Sequence, residues 1–350
     1  MTDDQPHHLA NTVQKLGLGC MKFSEAQVRM VFSPVRGHAD LPRILHSFAT
    51  HRINLHQLSF SIDVPGGVEL YLAEREYQRN KSLITSTLES LDLDPIVVSS
   101  VGTLTLFPHG SRMDVLLKVI SIAGSLDVNI YGICSSLSAF CITTDLGLLD
   151  RVAAALLEDF SLPEGHSPFR YEPSELDKKL AGEQGRKVET IARYWEPVIK
   201  IYGSSLKTGL TMFTISFSGD ELSHVITNLS ENGVQRFEMM GLAGGETGQI
   251  HLQLLVGPDP DQSRITSMRD CLSDRQGIEF SEQHGVELLF FHGPHFQDRH
   301  GVMHTAVSAL TEASIGIVWA SCSGTGVHLA ADEGIGSRML EILGEVFVVP

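Results

Sequence analysis

Val28-Arg29-Met30-Val31-Phe32, followed by Ser33-Pro34-Val35-Arg36-Gly37-His38-Ala39-Asp40, opens the stretch whose reading decides the fold. A short run rich in β-formers ends at a Pro- and Gly-bearing loop, and a helical pattern fills residues 41–50. Residues 54–62 then alternate as a strand, Val64-Pro65-Gly66-Gly67 turns, and residues 68–73 return. A second helix over 77–91 and a closing strand over 96–101 complete a βαββαβ order. That order predicts an α+β sandwich whose sheet is antiparallel.

The same order recurs three more times, so the chain is read as four copies of one unit. The second copy begins at Thr103-Leu104-Thr105-Leu106-Phe107, with Pro108-His109-Gly110-Ser111 as its loop and a hairpin over 129–144. The third begins at 210–217 with Ser218-Gly219-Asp220 as its loop, and the fourth at 287–291 with a loop over 292–299. Units are expected at 26–101, 102–165, 209–284 and 285–350, with a connector over 166–208 that holds a helix and a strand at 198–202. Residues 1–25, interrupted by Gly17 and Gly19, are expected to form a mobile arm. Units of roughly 65–80 residues are small, so pairing between them is expected to supply part of the stability. Consecutive units should pair side by side, as 26–165 and 196–350, each pair making one antiparallel sheet with helices on one face.

Composition excludes several function classes. Against 42 acidic residues stand 26 basic ones, a formal net charge of −16, so no basic stripe exists to neutralise the phosphates of a nucleic acid. No apolar run approaches the ~18–20 residues of a membrane helix, and Met1-Thr2-Asp3-Asp4 has the wrong charge for a signal peptide. The five cysteines, Cys20, Cys134, Cys141, Cys271 and Cys322, are scattered without metal-site spacing, which predicts a reduced, cytoplasmic chain. Trp195 and Trp319 are isolated and form no stacking platform. Neither a Walker loop nor a Gly-x-Ser-x-Gly elbow occurs.

The hairpin Asn129-Ile130-Tyr131-Gly132-Ile133-Cys134-Ser135-Ser136-Leu137 and the strand Ala139-Phe140-Cys141-Ile142-Thr143-Thr144-Asp145 resemble the second regulatory ACT domain of aspartate kinases. Residues 28–101 are similar to the preceding ACT domain, with Asn54-Leu55-His56 at the first inner strand. In the fourth unit, Gly293-Pro294-His295-Phe296-Gln297-Asp298-Arg299-His300-Gly301-Val302 resembles the family loop, and Ser321-Cys322-Ser323 stands for its Ser-Thr-Ser strand. The third unit matches in layout only. Leu137, Gly324 and Gly316 depart from the family pattern, which leaves a bulkier apolar effector as admissible as lysine or threonine. Only the short arm precedes the first unit, and Gly17-Leu18-Gly19 is too short for a phosphate-binding start. The resemblance therefore implies ferredoxin-like ACT units without a kinase domain, and a regulatory protein that is not an enzyme.

What such units do has a physical basis in the loops. Each first loop ends at a helix N-terminus, where free N–H groups and the helix dipole favour a carboxylate. Gly37, Gly110, Gly219 and Gly293 let the backbone approach a ligand. ACT domains hold an amino acid at the seam between neighbours. By that resemblance Arg36, Gly37, His38 and Asp40 would face Asn129, Ile133, Cys134 and Ser135, with Gly293 and Asp298 at the equivalent loop of the fourth unit. Asp40 suits an α-amino group and the Leu41 N–H an α-carboxylate, while the plainer role for Asp40 is a helix cap and for Gly37 a turn. No cofactor is expected.

His292, His295, His300 and His304 crowd the fourth unit, with the last two at i, i+4, but sixteen histidines make such crowding ordinary, and no metal is assigned. Two function classes remain, an amino-acid sensor acting on a biosynthetic enzyme and a ligand-free scaffold. The connector strand and the apolar run Val346-Phe347-Val348-Val349 need cover, which predicts a homodimer.

Overall fold

A computed structural model describes residues 15–32, 40–62, 67–126, 128–136, 138–164, 169–170, 198–232, 234–244, 248–257, 262–293, 299–324 and 326–348. In chain order the first elements are β1 (Leu16–Gly17), β2 (Cys20–Phe23), β3 (Gln27–Phe32), α1 (Asp40–Thr50), β4 (Gln57–Ser61), β5 (Val68–Ala73) and α2 (Glu74–Ser90). They are followed by β6 (Ile96–Phe107), α3 (Met113–Ser125), β7 (Gly132–Ser135), β8 (Phe140–Asp145), α4 (Leu149–Asp159), β9 (Phe160–Ser161) and β10 (Phe169–Arg170). The remainder comprises β11 (Gly203–Ser218), α5 (Leu222–Glu231), β12 (Met239–Gly244), β13 (Gln249–Val256), α6 (Gln262–Ser273) and β14 (Glu279–His292). Last come α7 (Val302–Glu312), β15 (Trp319–Ser323), β16 (Gly326–Asp332) and α8 (Gly336–Val346). The class is α+β, with a large antiparallel sheet as its centre.

Three long strands decide the architecture. β6 pairs with β3 through residues 96–101 and with β8 through residues 101–106. β11 and β14 pair with each other along nearly their whole length, and β11 also meets β13 through residues 211–218 while β14 also meets β16 through residues 286–292. One ladder is thereby shared between two faces. The first runs β6-β3-β5-β4-β15-β16-β14-β11, and the second β2-β6-β8-β7-β12-β13-β11-β14. Where the long strands cross between faces, the backbone is left-handed at Ser100 (φ 56), Gly209 (φ 68) and Gly285 (φ 70). The pairing register shifts beside each of them, as a bulge requires.

Strict alternation builds the layers. Val28, Met30 and Phe32 of β3, with Leu58 and Phe60 of β4 and Val68, Leu70 and Leu72 of β5, pack under the helices of the first sheet. Leu104, Leu106, Phe140, Ile142, Phe213, Ile215 and Phe217 do the same in the second. The opposite faces of the two sheets meet each other. A small apolar cluster that includes Met212, Met239, Leu255, Leu288 and Trp319 lies there, beside a polar layer in which Arg29 binds Glu69 at 2.5 Å and Gln253 donates to Ser61 at 2.6 Å. Helices cover one face of each sheet, as the sequence predicts.

The pairing of quarters differs from the expectation. Residues 26–165 and 196–350 do not each make a sheet. Instead β4 pairs with β15, joining the first quarter to the fourth, and β7 pairs with β12, joining the second to the third. The cause is β6 itself. A 12-residue strand spans roughly 40 Å at 3.3 Å per residue, so it delivers the second quarter into the other sheet instead of folding it back beside the first.

A further expectation changes. Leu16–Gly17 pairs with Phe160–Ser161, and Cys20–Phe23 pairs with β6, so residues 16–23 of the expected arm belong to the sheets. Val348 exchanges two 2.9 Å backbone hydrogen bonds with Ile199 and Ile201, and Phe347 is buried against Phe291. The connector strand thus meets the C-terminal run at Phe347–Val348, while Val198, Tyr202, Val346 and Val348 stay exposed.

Candidate functional site

Four helices follow a first-loop position: α1, α3, α5 and α7. Their N-termini differ in what already occupies them.

At α3 the protein fills the position itself. The Met113 N–H donates to the Gln235 carbonyl at 2.9 Å, and the Phe237 N–H donates to the Ser111 carbonyl at 3.1 Å. His109 is buried beneath this loop and stacks on Phe237 with centroids 5.2 Å apart. Its Nδ1 accepts from the Ser111 N–H at 2.7 Å, which leaves Nε2 to donate to the Ser136 carbonyl at 3.0 Å. Burial lowers its pKa, and this neutral tautomer satisfies both contacts. At α5 a single 3₁₀ turn, Gly219–Glu221, leads into the helix, and the Gly219 N–H is bonded to the Gly248 carbonyl at 3.1 Å.

α7 is different. Like α3 and α5 it has no side-chain cap, but its N-cap is Gly301, left-handed at φ 86, and no backbone carbonyl from another element fills the position among the described residues. A Cβ at Gly301 would meet Ala49 of α1 at an ordinary 3.8 Å, so it is the left-handed φ, not the space, that calls for glycine here. Arg299, His300, Gly301, His304 and Thr305 line a cleft of ≈ 280 Å³ together with Val198, Ile199 and Val346. Arg299 donates to the Val198 carbonyl at 3.0 Å, which fixes its guanidinium at the rim. Directly behind lies an apolar recess of ≈ 20 Å³ between the first and fourth quarters, lined by Leu45, Phe48, Leu55, Leu58, Met303 and Cys322 among others. That is room for about one water. His304 and His46 meet edge-on across α7 and α1 at 5.1 Å. Burial first, then the neighbouring His46, lowers the His304 pKa, and burial pushes the Cys322 thiol up to about 12.

The residues expected to form one site are dispersed. Arg36, Gly37, His38 and Asp298 lie outside the described residues. Asp40 and Leu41 are buried at the start of α1, with Arg43 3.3 Å from the Asp40 carboxylate, on a helix that packs against α7 and is not brought to β7. Asn129 is exposed. Ile133 sits in the core under the helices of the second sheet, Cys134 points between the sheets, and Ser135 accepts the Met240 N–H at 2.7 Å. These residues therefore hold the β7–β12 seam. Gly293 follows β14 and enters the loop before α7. His292 stacks on Phe290, His295 lies outside the described residues, and only His300 and His304 share the cleft. Among the described residues no three His, Cys, Asp or Glu side chains are grouped to hold a metal. Arg299, His300, Gly301 and Leu55 carry no signal in the sequence that joins them, because their meeting depends on the β4–β15 pairing.

No family model matches this chain. No curated protein sequence matches it either. Solved structures do. The aspartate kinase from Synechocystis superposes with a TM-score of 0.74 at 14% identity, over 94% of this chain and 55% of that one. The regulatory subunit of aspartate kinase from Thermus flavus matches 43% of this chain and 99% of its own, with a TM-score of 0.38 and 13% identity. The ligand-free regulatory subunit from Thermus thermophilus matches 41% of this chain and 99% of its own, with a TM-score of 0.35 and 14% identity. The fold is thus shared with an aspartate kinase, and this chain spans 55% of that kinase's length. The expectation that the protein is not an enzyme is overturned by that match, since the structure aligned over 94% of the chain is a kinase.

Proposed function

We propose that this chain is an amino-acid-sensing regulatory region of an aspartate-kinase-like protein, built from four ACT units paired first with fourth and second with third. The observation that carries the reading is the contrast between seams. At β7–β12 the backbone of residues 235–237 occupies the position an effector would take, whereas at β4–β15 the uncapped α7 N-terminus opens on a cleft. In this reading the effector's carboxylate meets the α7 N–H groups with Arg299 at the rim. Its side chain enters the recess formed by Leu45, Phe48, Leu55, Leu58 and Met303, which selects an apolar amino acid. The recess holds about one water when empty, so a side chain enters only as α1 and α7 part. That displacement along β4–β15 is the signal delivered to an amino-acid biosynthetic activity. The second seam, self-filled, acts as scaffold.

Thermal unfolding in the presence of each of the twenty amino acids tests the reading. Leucine, isoleucine, valine or methionine at tens to hundreds of times its Kd should stabilise the chain by about 2–3 kcal/mol. The Arg299→Met variant should lose most of that shift, and a His109→Gln variant at the second seam should keep it. No shift with any amino acid would reject the sensor.

A further inference from the structure

A row of side chains runs from solvent into the layer between the two sheets: Lys22 of β2, Thr105 of β6, Cys141 of β8 and Cys134 of β7. Lys22 is exposed, Cys141 partly so, and Cys134 is buried at 3%. Cys134 and Cys141 lie directly opposite each other on adjacent antiparallel strands. Their side chains face each other across β7 and β8, Thr105 Oγ1 is 3.3 Å from the Cys141 sulfur, and Ser323 of β15 lies beside Cys134 from the other sheet. We propose that Cys141 and Cys134 form a peroxide-responsive dithiol, with Cys141 the attacked sulfur and Cys134 the resolving one.

Each half of the pair has the environment its role requires. The hydrogen bond from Cys134, the bond from Thr105 and the charge of Lys22 all favour the Cys141 thiolate over its thiol, against the opposing effect of burial. Cys134 is held protonated by its hydrogen bond to Cys141 and by burial. A cysteine on a half-buried residue, with its thiolate favoured and backed by a protected thiol, is the arrangement that redox-sensing pairs use. The chemistry balances in two steps. The Cys141 thiolate attacks one oxygen of hydrogen peroxide and the O–O bond breaks, giving Cys141 sulfenic acid and, with one proton, water. Cys134 sulfur then attacks the Cys141 sulfur, the S–O bond breaks, and the Cys134 proton leaves with the hydroxyl as a second water. The resulting disulfide joins β7 to β8 beside the β7–β12 seam and withdraws Cys134 from Ser323. Facing positions in an antiparallel pair lie within the Cα separation a disulfide spans.

Both cysteines fall in one tryptic peptide, residues 119–151, which contains no internal Lys or Arg. The reduced full-length chain is treated with a modest excess of hydrogen peroxide, alkylated with iodoacetamide and digested. The expected product is peptide 119–151 lighter by two hydrogens and unalkylated, returning to two alkylations after dithiothreitol. In the untreated native chain, Cys141 should alkylate about tenfold or more faster than Cys134. A Cys134→Ala variant should leave Cys141 as a sulfenic acid that dimedone traps, and Cys141→Ser should abolish oxidation of the peptide. Two alkylations persisting after peroxide would overturn the proposal. So would Cys141 passing to sulfinic acid while Cys134 alkylates, or either sulfur joining Cys20, Cys271 or Cys322.

Discussion

His328 carries the sharpest test at the scale of one residue. It lies between the sheets at 1% exposure, against Phe290, with Nδ1 unpartnered. Burial, with Lys207 adding to it, lowers its pKa from 6.5 to about 4. The unfolded chain therefore binds a proton before the folded one does as pH falls. Stability from this site is complete above pH 6.5 and is lost between 6.5 and 4, to a total of about 3 kcal/mol at 1.36 kcal/mol per unit. His109, His251 and His304 are shifted in the same direction and steepen the slope. Urea unfolding at pH 7 and pH 4 should show the His328→Phe variant losing about 3 kcal/mol less than the parent over that interval. An equal loss in both would mean that His328 is protonated in the folded chain.

The elements were legible in the sequence because their signals are local. Period-2 alternation in residues 28–32 and the loop chemistry of residues 33–40 need no knowledge of the rest of the chain. Partner choice was not legible, and one misread feature explains why. The sequence pattern divides Ile96–Phe107 into a closing strand and an opening strand at Gly102, and Glu279–His292 likewise around Gly285. In the fold these interruptions are bulges that redirect a continuing strand, with Ser100 and Gly285 left-handed. A turn would have paired neighbours in sequence, whereas a bulge pairs the first quarter with the last. The candidate site moved with that pairing, from Ile133 to Leu55 and Gly301. The consequence can be measured on β7. Ser135→Ala leaves the buried Met240 N–H without its acceptor and should destabilise the chain by about 1–3 kcal/mol in chemical unfolding. Asn129→Ala, at an exposed position, should stay within about 0.5 kcal/mol. Equal effects would mean that the β7–β12 seam is held otherwise.

At the scale of the whole molecule, a buried ion pair between neighbouring strands β3 and β5 also reaches the second sheet. Arg29 donates to Glu69 at 2.5 Å and to the Gly244 carbonyl at the end of β12 at 2.9 Å, and the Tyr131 ring lies 5.7 Å from its guanidinium. Tyr71 donates to the second Glu69 oxygen at 2.9 Å and touches the Gly132 position of β7. On the same sheet, Glu69 pairs with Ser59 and Ser59's strand pairs with β15. Arg29's bond to Gly244 and Tyr71's contact at Gly132 thus tie the sheet of the β4–β15 seam to the β7–β12 seam. A buried pair is weak evidence for stability against an apolar replacement, yet removing one partner leaves an uncompensated charge and costs about 3–5 kcal/mol. Arg29→Met should therefore destabilise by that amount, and Arg29→Met with Glu69→Gln should recover much of it. Because both seams are internal and this pair locks them face to face, the 350-residue chain should scatter light as a 38.3 kDa monomer at micromolar concentration. Arg29→Met, if it frees the sheets from each other, should expose the Met212, Met239 and Trp319 cluster between them and shift that mass upward. A parent mass of twice the chain would show that an outer surface, and not either seam, makes the assembly.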